Sequence, residues 1–142
     1  MIRTIAEFKT SIPDDTDLDE DRVYTFGGRA VALVIAQMLT EQGFTVEDPE
    51  YAEEHGWELT ARVVRERVRT RLWFQVTLPD EVVLQTEDTT FSIFGRIDHT
   101  VFPKTLIRLN EQLTADPRFS DVVWFPERSY DRREGGAPTP VS

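Results

Sequence analysis

The sequence predicts an α+β fold: a two-layer sandwich in which a mainly antiparallel sheet is covered on one face by two helices. Two segments show the 3.6-residue apolar spacing of amphipathic helices, and three consecutive segments between them alternate apolar and polar residues as half-buried strands do. A chain of 142 residues is about one domain long, and its 39% apolar residues suffice for one core. We therefore predict a single domain over residues 1–125.

The first predicted elements are a strand and an acidic loop. Ile5 and Phe8 stand among polar neighbours in residues 3–10, a pattern that favours a strand. Residues 13–22 begin with Pro13 and combine like charges with a single apolar leucine. We expect a solvated loop there, because like charges and proline disfavour regular structure.

The first helix is predicted over residues 27–42. Its apolar positions recur at helical spacing, at Val31, Val34, Ile35, Met38 and Leu39. Gly43 follows, and glycine adopts the left-handed conformation at a helix C-terminus most readily. Residues 44–46 then predict a short strand that runs into the acidic loop 47–55.

Three antiparallel strands should follow as a meander. Residues 56–64, 70–78 and 81–87 each place apolar side chains at alternate positions, so that one face of each strand is buried. Pro79-Asp80 separates the last two, and these residues favour the corners of a tight turn.

The end of the chain predicts one helix and one strand. Residues 88–97 fit a mobile loop and a one-turn helix equally well. A second helix begins after Asp98 or Thr100, either of which can cap it. Its apolar side is formed by Phe102, Leu106, Leu109 and Leu113. Residues 122–125 predict a final strand, and the polar, glycine- and proline-bearing residues 126–142 predict a disordered tail.

Charge is segregated along the chain. The formal net charge is -10, yet residues 62–71 hold five arginines against one glutamate, a local charge of +4 that leaves -14 for the remainder. Nucleic acid is not an expected partner of so acidic a surface, because phosphate binding needs concentrated positive potential. Opposite charge blocks favour recognition of another charged surface, since long-range fields steer encounters between proteins.

Composition excludes several classes of chemistry. The chain has no cysteine, which excludes disulfides, thiolate nucleophiles and cysteine-ligated zinc. No apolar stretch approaches the roughly 20 residues of a membrane span, and the first residues lack the apolar core of a signal peptide. We expect a cytoplasmic protein with no membrane partner and no cofactor, and the sequence leaves the oligomeric state open.

The predicted partner-binding surface is acidic. It comprises Asp14, Asp15, Asp17, Asp19, Glu20, Asp21, Glu50, Glu53 and Glu54. Three of its aspartates, at alternate positions from Asp15, match the start of a calcium-binding loop. Such a loop needs glycine at its sixth position and glutamate at its twelfth, where this chain has Glu20 and Phe26. We therefore predict no metal site.

Gly27, Gly28 and Arg29 form a candidate anion site at the start of the first helix. Exposed amides and the helix dipole attract a phosphate or carboxylate there, and the acidic loop just upstream would satisfy the same amides. No surrounding glycine-rich nucleotide motif accompanies them.

Arginines occupy every second position from 65 to 71, and Trp73 continues the row. Residues two apart share a face of an extended chain, so Arg65, Arg67, Arg69 and Arg71 predict one basic stripe unless a hairpin turn interrupts it. The stripe either binds a partner, with the tryptophan as an anchor, or pairs with the chain's own acids on neighbouring strands. Both alternatives remain open.

No catalytic residues are predicted. His55 and His99 are far apart in the sequence, neither has the spacing of metal ligands, and no nucleophile with an oriented base can be nominated. We therefore expect a protein that is not an enzyme.

Several short motifs resemble a group of small, acidic, uncharacterised bacterial proteins. They are GGRAVA at 27–32, GFTV at 43–46, GWE at 56–58 and DPRFSDV at 116–122. The resemblance includes no catalytic motif and implies a single domain of bacterial origin rather than an activity. In size and charge the chain is also similar to immunity proteins that neutralise secreted toxins.

The sequence therefore predicts a non-catalytic protein-binding module. Its most concrete form is an immunity- or antitoxin-like inhibitor whose acidic surface covers a basic partner, such as a nuclease toxin. The alternative is a regulatory or small-ligand domain that binds an anionic metabolite at Arg29 or at the arginine row.

Overall fold

The protein is described by a computed structural model over residues 1–19 and 22–142. In these ranges the chain forms a seven-stranded antiparallel sheet, a two-stranded hairpin and two α-helices. The helices lie on one face of the sheet, so the predicted α+β sandwich is confirmed.

The strands are β1 (Ile5–Thr10), β2 (Asp17–Asp19), β3 (Arg22–Thr25), β4 (Thr45–Val46), β5 (Glu50–Tyr51), β6 (Trp57–Arg65), β7 (Val68–Thr77), β8 (Val82–Asp88) and β9 (Phe119–Phe125). The helices are α1 (Arg29–Glu41) and α2 (Val101–Ala115), and short 3-10 helices span Glu53–His55 and Glu127–Arg132. The large sheet has the order β4-β6-β7-β8-β1-β9, with β5 pairing beside β4 on β6. The predicted meander corresponds to β6, β7 and β8.

The core lies between the helices and the inner face of the sheet. The buried residues of the two helices are Val31, Ala32, Ile35, Met38 and Leu39 in α1 and Phe102, Thr105, Leu106, Leu109 and Leu113 in α2. Both predicted apolar stripes are therefore confirmed, with Val34 only partly buried. The indole of Trp124, also fully buried, donates to the side-chain oxygen of Asn110 at 2.8 Å and so joins β9 to α2.

The C-terminus of α1 has the predicted glycine cap. Gly43 has a φ of 101°, and its N–H donates to the carbonyl of Thr40 at 2.9 Å. The next N–H, from Phe44, reaches back to Leu39 at 3.1 Å. These two bonds satisfy carbonyls that the helix leaves open, and the buried ring of Phe44 holds the chain against the core.

Three element predictions within residues 1–125 are corrected. The acidic segment 47–55 was expected to be a loop, yet Glu50–Tyr51 pairs with β6 and Glu53–His55 forms a 3-10 helix. Residues 13–22 were expected to be a loop, yet Asp17–Asp19 forms a strand that pairs with Arg22–Thr25. The final strand begins at Phe119 rather than at residue 122, and Asp121 lies within it at a φ of 55°. This backbone irregularity breaks the two-residue alternation that would have marked the strand in the sequence. Residues 89–100 form an irregular connection without a helical turn.

Residues 126–142 differ from the predicted disordered tail. Ala137 and Trp124 exchange both backbone hydrogen bonds, at 2.7 and 2.9 Å, on the edge of β9. The carboxylate of Glu7, on the outer face of the sheet, accepts hydrogen bonds from the hydroxyl of Tyr130 and from Arg133. The segment is held by backbone pairing and one buried acid, neither of which leaves a periodic apolar signal.

Candidate functional site

A cleft of about 520 Å³ opens where four parts of the fold meet. These are the tip of the β6–β7 hairpin, the C-terminus of α1, the N-terminus of α2 and the connection 89–100. Its volume falls in the range of roughly 300–1,000 Å³ that small-molecule sites occupy.

The lining of the cleft is cationic over an apolar base. Its charged residues are Arg65, Arg96, Lys104, Arg108, Glu66 and Asp98. Their formal sum is +2, in a chain whose total is -10. Its apolar residues are Phe44, Val63, Val68 and Val101. Apolar walls with a few convergent polar groups are the usual composition of ligand sites. We call this site the basic cleft.

The back wall of the basic cleft is braced by hydrogen bonds between elements. Arg65 donates from Nη2 to the carbonyl of Gln42, the residue that caps α1, at 3.0 Å. The side-chain amide of Gln42 in turn donates to the carbonyl of Thr105 at 3.3 Å and to Gln112 at 2.9 Å. These bonds hold β6, α1 and α2 at a set spacing around the cavity.

The N-terminus of α2 supplies the opposite wall. Asp98 accepts hydrogen bonds from the hydroxyl of Thr100 at 2.6 Å and from its N–H at 3.0 Å. The hydroxyl bond, followed by the N–H bond, holds the pKa of Asp98 below its ordinary value. Lys104 and Arg108 follow Thr100 at intervals of four residues and share its side of the helix. The helix dipole adds positive potential at this end.

The predicted arginine stripe is divided by a hairpin turn. Glu66 and Arg67 form the two-residue turn between β6 and β7, with φ values of 50° and 67°. Arg65 precedes the turn and lines the basic cleft, whereas Arg69 and Arg71 follow it on the outer face of the sheet. The prediction of one continuous stripe is therefore corrected.

The arginines of the row form no close ion pair with the acids of the described ranges. Among those residues, Arg65, Arg67, Arg69 and Arg71 form no salt bridge within 4.0 Å. Trp73 lies beside Arg71 on the outer face and is half-buried, rather than exposed as the sequence suggested. Pairing with the chain's own acids, the second alternative for the row, is not found there.

The predicted anion site at the start of α1 is filled by the chain's own acid. Asp15 accepts the N–H of Gly28 at 2.8 Å on one carboxylate oxygen and the N–H of Ala30 at 2.9 Å on the other. Gly28 has a φ of 120°, which glycine tolerates and which lets the chain turn into the helix. Asp15, which the sequence placed on the partner-binding surface, thus caps a helix instead.

The other two residues of that predicted site are also engaged. Gly27 donates its N–H to the hydroxyl of Thr16 at 3.0 Å. The guanidinium of Arg29 lies 5.8 Å from the ring centroid of Trp57, at a distance typical of a cation–π contact.

The predicted acidic surface is only partly free. Asp14 accepts hydrogen bonds from the hydroxyl of Thr16 at 2.6 Å and its N–H at 2.9 Å, and these bonds lower the pKa of Asp14. Glu20 and Asp21 lie outside the described residues, as do the side chains of Asp19 and Glu54. The exposed carboxylates that remain are Asp17, Glu50 and Glu53, with Asp48 beside them.

These four carboxylates define the acidic end of the molecule. The segments that carry them meet where the N–H of Phe26 donates to the hydroxyl of Tyr51 at 3.1 Å. Tyr51 pairs with Trp57, the first residue of β6, whereas the basic cleft contains Arg65, the last. The two charged regions therefore lie at opposite ends of one strand.

The histidines add nothing to the basic cleft. His55 and His99 are exposed and are not among its lining residues. Across the described chain, no group of three or more histidine or carboxylate side chains is arranged to hold a metal ion. None of the helices in those ranges is long and apolar enough to cross a membrane.

The sequence did not predict three of the cationic lining residues, namely Arg96, Lys104 and Arg108. A signal for two of them exists, because they stand four residues apart on the predicted second helix. Their meeting with Arg65 depends on the placement of α2 beside the β6–β7 hairpin, which periodicity does not give.

No family model, curated protein or solved structure matches the chain. The geometry of the basic cleft and of the acidic end is therefore what supports a function.

Proposed function

We propose that the protein is a non-catalytic binding module whose basic cleft takes a small anionic ligand that carries a carboxylate or a phosphate. The observation that carries this proposal is the convergence of Arg65 from β6, Arg96 from the connection 89–100, and Lys104 and Arg108 from α2 on one cavity.

Electrostatics favours an anion in this cavity. Like charges brought together repel one another unless a counter-charge lies between them. Glu66 and Asp98 offset two of the four cations, and Arg108 also contacts Glu111 at 3.0 Å, outside the lining. A bound carboxylate or phosphate would offset the remainder through charge-assisted hydrogen bonds, which are stronger beside apolar walls than in water.

The lining supports binding better than catalysis. Its described residues include two acids and no histidine, and hydrogen bonds from Thr100 hold the pKa of Asp98 below its ordinary value. An ionised acid beside the start of a helix orients and excludes ligands by charge. General acid catalysis needs a carboxyl whose pKa is raised rather than lowered.

The test is calorimetric titration with inorganic phosphate, citrate and nucleotides, supported by thermal shift. We expect at least one of these anions to stabilise the protein, because a ligand that binds only the folded state shifts unfolding by mass action. Replacing Arg96 and Lys104 by alanine should weaken that binding by roughly 10- to 100-fold, the effect of losing a charge-assisted hydrogen bond.

The matched control is Arg62→Ala. Arg62 is an exposed arginine of the same hairpin, but it lies on the outer face and contacts Glu47 at 3.2 Å. It should leave ligand affinity unchanged. Equal affinity in the wild type and the Arg96/Lys104 double variant, or no response to any of the anions, would contradict the proposal.

A second candidate is an immunity- or antitoxin-like inhibitor that binds a basic protein through the acidic end. The observation in its favour is that Phe26, 43% exposed, lies beside the exposed carboxylates of that end. An accessible aromatic ring within a charged rim is a typical interface anchor.

This second candidate predicts salt-sensitive association. Reversing charge with Glu50→Lys and Glu53→Lys should slow binding to a basic partner recovered at low salt, because rim charges act mainly on the association rate. Glu111→Lys, on α2 and away from the acidic end, is the control. Unchanged association in the double variant would exclude the acidic end as the contact.

A further inference from the structure

The connection between β8 and α2 exposes three large apolar side chains within four residues. Phe91 is 80% exposed, Ile93 73% and Phe94 99%. Isolated exposed apolar residues are ordinary, but a contiguous group rimmed by polar residues marks an interaction surface. The group lies on an irregular connection rather than in a groove, so it suits a partner into which side chains can insert.

Cationic side chains flank these apolar residues on both sides. At one base of the connection, Thr89 donates its N–H to the carbonyl of Arg71 at 3.0 Å, next to the outer-face arginines. At the other, Arg96 lines the basic cleft. Residues 62–71 carry a formal charge of +4, although Arg62 pairs with Glu47, and residues 89–108 hold three cations against one acid. Asp88, at the base of the connection, accepts the N–H of Thr90.

We propose that this basic end docks on the surface of an anionic lipid bilayer, with Phe91, Ile93 and Phe94 inserted at the level of the headgroups. Aromatic and aliphatic side chains bind at that depth through buried apolar area, and neighbouring arginines and lysines add attraction to anionic lipid. The exposed apolar tip therefore matches the apolar boundary of the bilayer, and the cations beside it match the negative charge of the lipid headgroups.

The negative total charge does not prevent this contact. At physiological ionic strength, charges are screened beyond roughly 8 Å. The acidic end lies at the far end of the nine-residue strand β6, and nine extended residues span about 30 Å. A membrane that touches the basic end therefore experiences mainly its local cations.

This inference goes beyond the proposed ligand site and beyond the expectation of no membrane partner. That expectation rests on the absence of a stretch long enough to span a bilayer. Insertion at a surface requires only a few apolar side chains with cations beside them.

The test is sedimentation of the full chain with vesicles of phosphatidylcholine mixed with phosphatidylglycerol, compared with phosphatidylcholine alone. We expect binding to the mixed vesicles that weakens with salt. Phe91→Ser with Phe94→Ser should reduce it by about 10-fold or more, given the apolar area withdrawn. Arg69→Ala should reduce it by about fivefold, the effect of one cation near an anionic surface.

The control is Leu33→Ser on α1, which removes an apolar side chain that is 39% exposed away from the proposed contact. The chain has no cysteine, so Phe94→Cys and Leu33→Cys each accept one polarity-sensitive fluorophore. Mixed vesicles should shift the emission of the label at position 94 to the blue and leave the label at position 33 unchanged.

Several outcomes would overturn the inference. Equal sedimentation with both vesicle types, or unchanged binding in the Phe91/Phe94 variant, would do so. A change of oligomeric state in that variant without loss of vesicle binding would assign the apolar group to contact between copies of this chain. The variant should keep its affinity for soluble anions, so failure here is distinguishable from failure of the basic cleft.

Discussion

The acidic segment from Asp14 to Asp17 and the arginine row from Arg65 to Arg71 are alike in sequence, each a dense run of one charge, but the fold uses them in opposite ways. Asp15 is bound by two N–H groups at the start of α1, and Asp14 by two groups of Thr16. The arginines form no ion pair among the described residues.

The difference follows from the hydrogen-bonding groups that the fold places next to each charged run. The start of a helix presents N–H groups without partners, so a nearby carboxylate is used for folding. The tip of a hairpin presents fewer acceptors: Arg65 donates to the carbonyl of Gln42, whereas Arg67, Arg69 and Arg71 lie exposed to solvent. Local charge density in a sequence therefore indicates a binding surface only where the fold supplies no internal partner.

The largest expected effect concerns a third acid with internal partners. Glu7 is only 9% exposed, and its carboxylate accepts the hydroxyl of Tyr130 at 2.7 Å and Arg133 at 2.9 Å. Glu7→Ala should lower the free energy of unfolding by about 2 kcal/mol, because hydrogen bonds to a charged group are lost and donors are left unpaired. Urea denaturation measures it. Glu87 is an exposed acid on the same face, and Glu87→Ala should lower the free energy of unfolding far less. An equal loss in the two variants would show that the hydrogen bonds of Glu7 do not stabilise the fold.

The same contact predicts a pH dependence. Burial, followed by the hydrogen bond to Glu7, raises the pKa of Tyr130 from 10.0 to about 12. A group whose pKa is higher in the folded state stabilises the protein below its unfolded pKa, and that contribution is lost as pH rises through the folded value. Stability should therefore fall between about pH 10 and 12 by more in the wild type than in Tyr130→Phe. Parallel stability curves would show that the hydroxyl contributes nothing.

The helix cap is expected to have a smaller effect. Asp15→Ala leaves the N–H groups of Gly28 and Ala30 without their acceptor and should lower the free energy of unfolding by about 1 kcal/mol, as caps do. Asp17→Ala, an exposed position in β2, should change it by less than about 0.5 kcal/mol. Thermal unfolding followed by circular dichroism compares the two. Similar losses would remove the distinction between capping and surface acids.

In the basic region, one substitution of a charged residue is expected to raise the free energy of unfolding instead of lowering it. Arg67 has a φ of 67° in the hairpin turn, a conformation that glycine adopts without steric cost. Arg67→Gly should raise the free energy of unfolding by about 0.5 kcal/mol, measured by urea denaturation. Arg69→Gly, within β7, should lower it by a similar amount, because glycine weakens strand interiors. A destabilised Arg67→Gly would indicate that the arginine does support the fold.

Much of the fold was predictable because its signals are local. The apolar spacing of both helices and the alternation of β6 to β8 stand in the sequence, and so does Gly43. The pairing of residues 126–142 with β9 was not predictable, since it depends on backbone bonds and on Glu7, which looks like any other surface acid.

The site was predictable only in its charge. The arginine row marks the correct end of the molecule, but the turn at Glu66-Arg67 lacks the asparagine or glycine that usually signals such a turn. Without that signal, one stripe was expected where two faces exist. Lys104 reaches the same cavity through a long-range contact between elements, which neither composition nor the apolar periodicity of the sequence can predict.

The smallest expected effect concerns Asp14 and tests whether the neighbouring hydroxyl of Thr16 lowers its pKa. Thr16→Val keeps the shape of the side chain and removes the hydroxyl that donates to Asp14. The pKa of Asp14 should rise towards its ordinary value of 3.8, which carbon-detected NMR titration of the carboxyl measures. A lowered folded pKa stabilises the protein above the unfolded pKa, and that contribution is lost as the pH falls.

Thr16→Val also removes the acceptor of the Gly27 N–H, and that loss lowers stability equally at every pH. The pH-dependent part is the test: the acid side of the stability curve should flatten by a few tenths of a kcal/mol, because the acid is exposed. Thr40→Val, which removes a hydroxyl that bonds to Ala36 within α1, is the control and should leave the titration of Asp14 unchanged. If the titration of Asp14 is unchanged in Thr16→Val, Asp15 is the one acid of this segment whose hydrogen bonds contribute to folding. Asp14 would then join the exposed carboxylates available at the acidic end, and the contrast with the arginine row would rest on the helix cap alone.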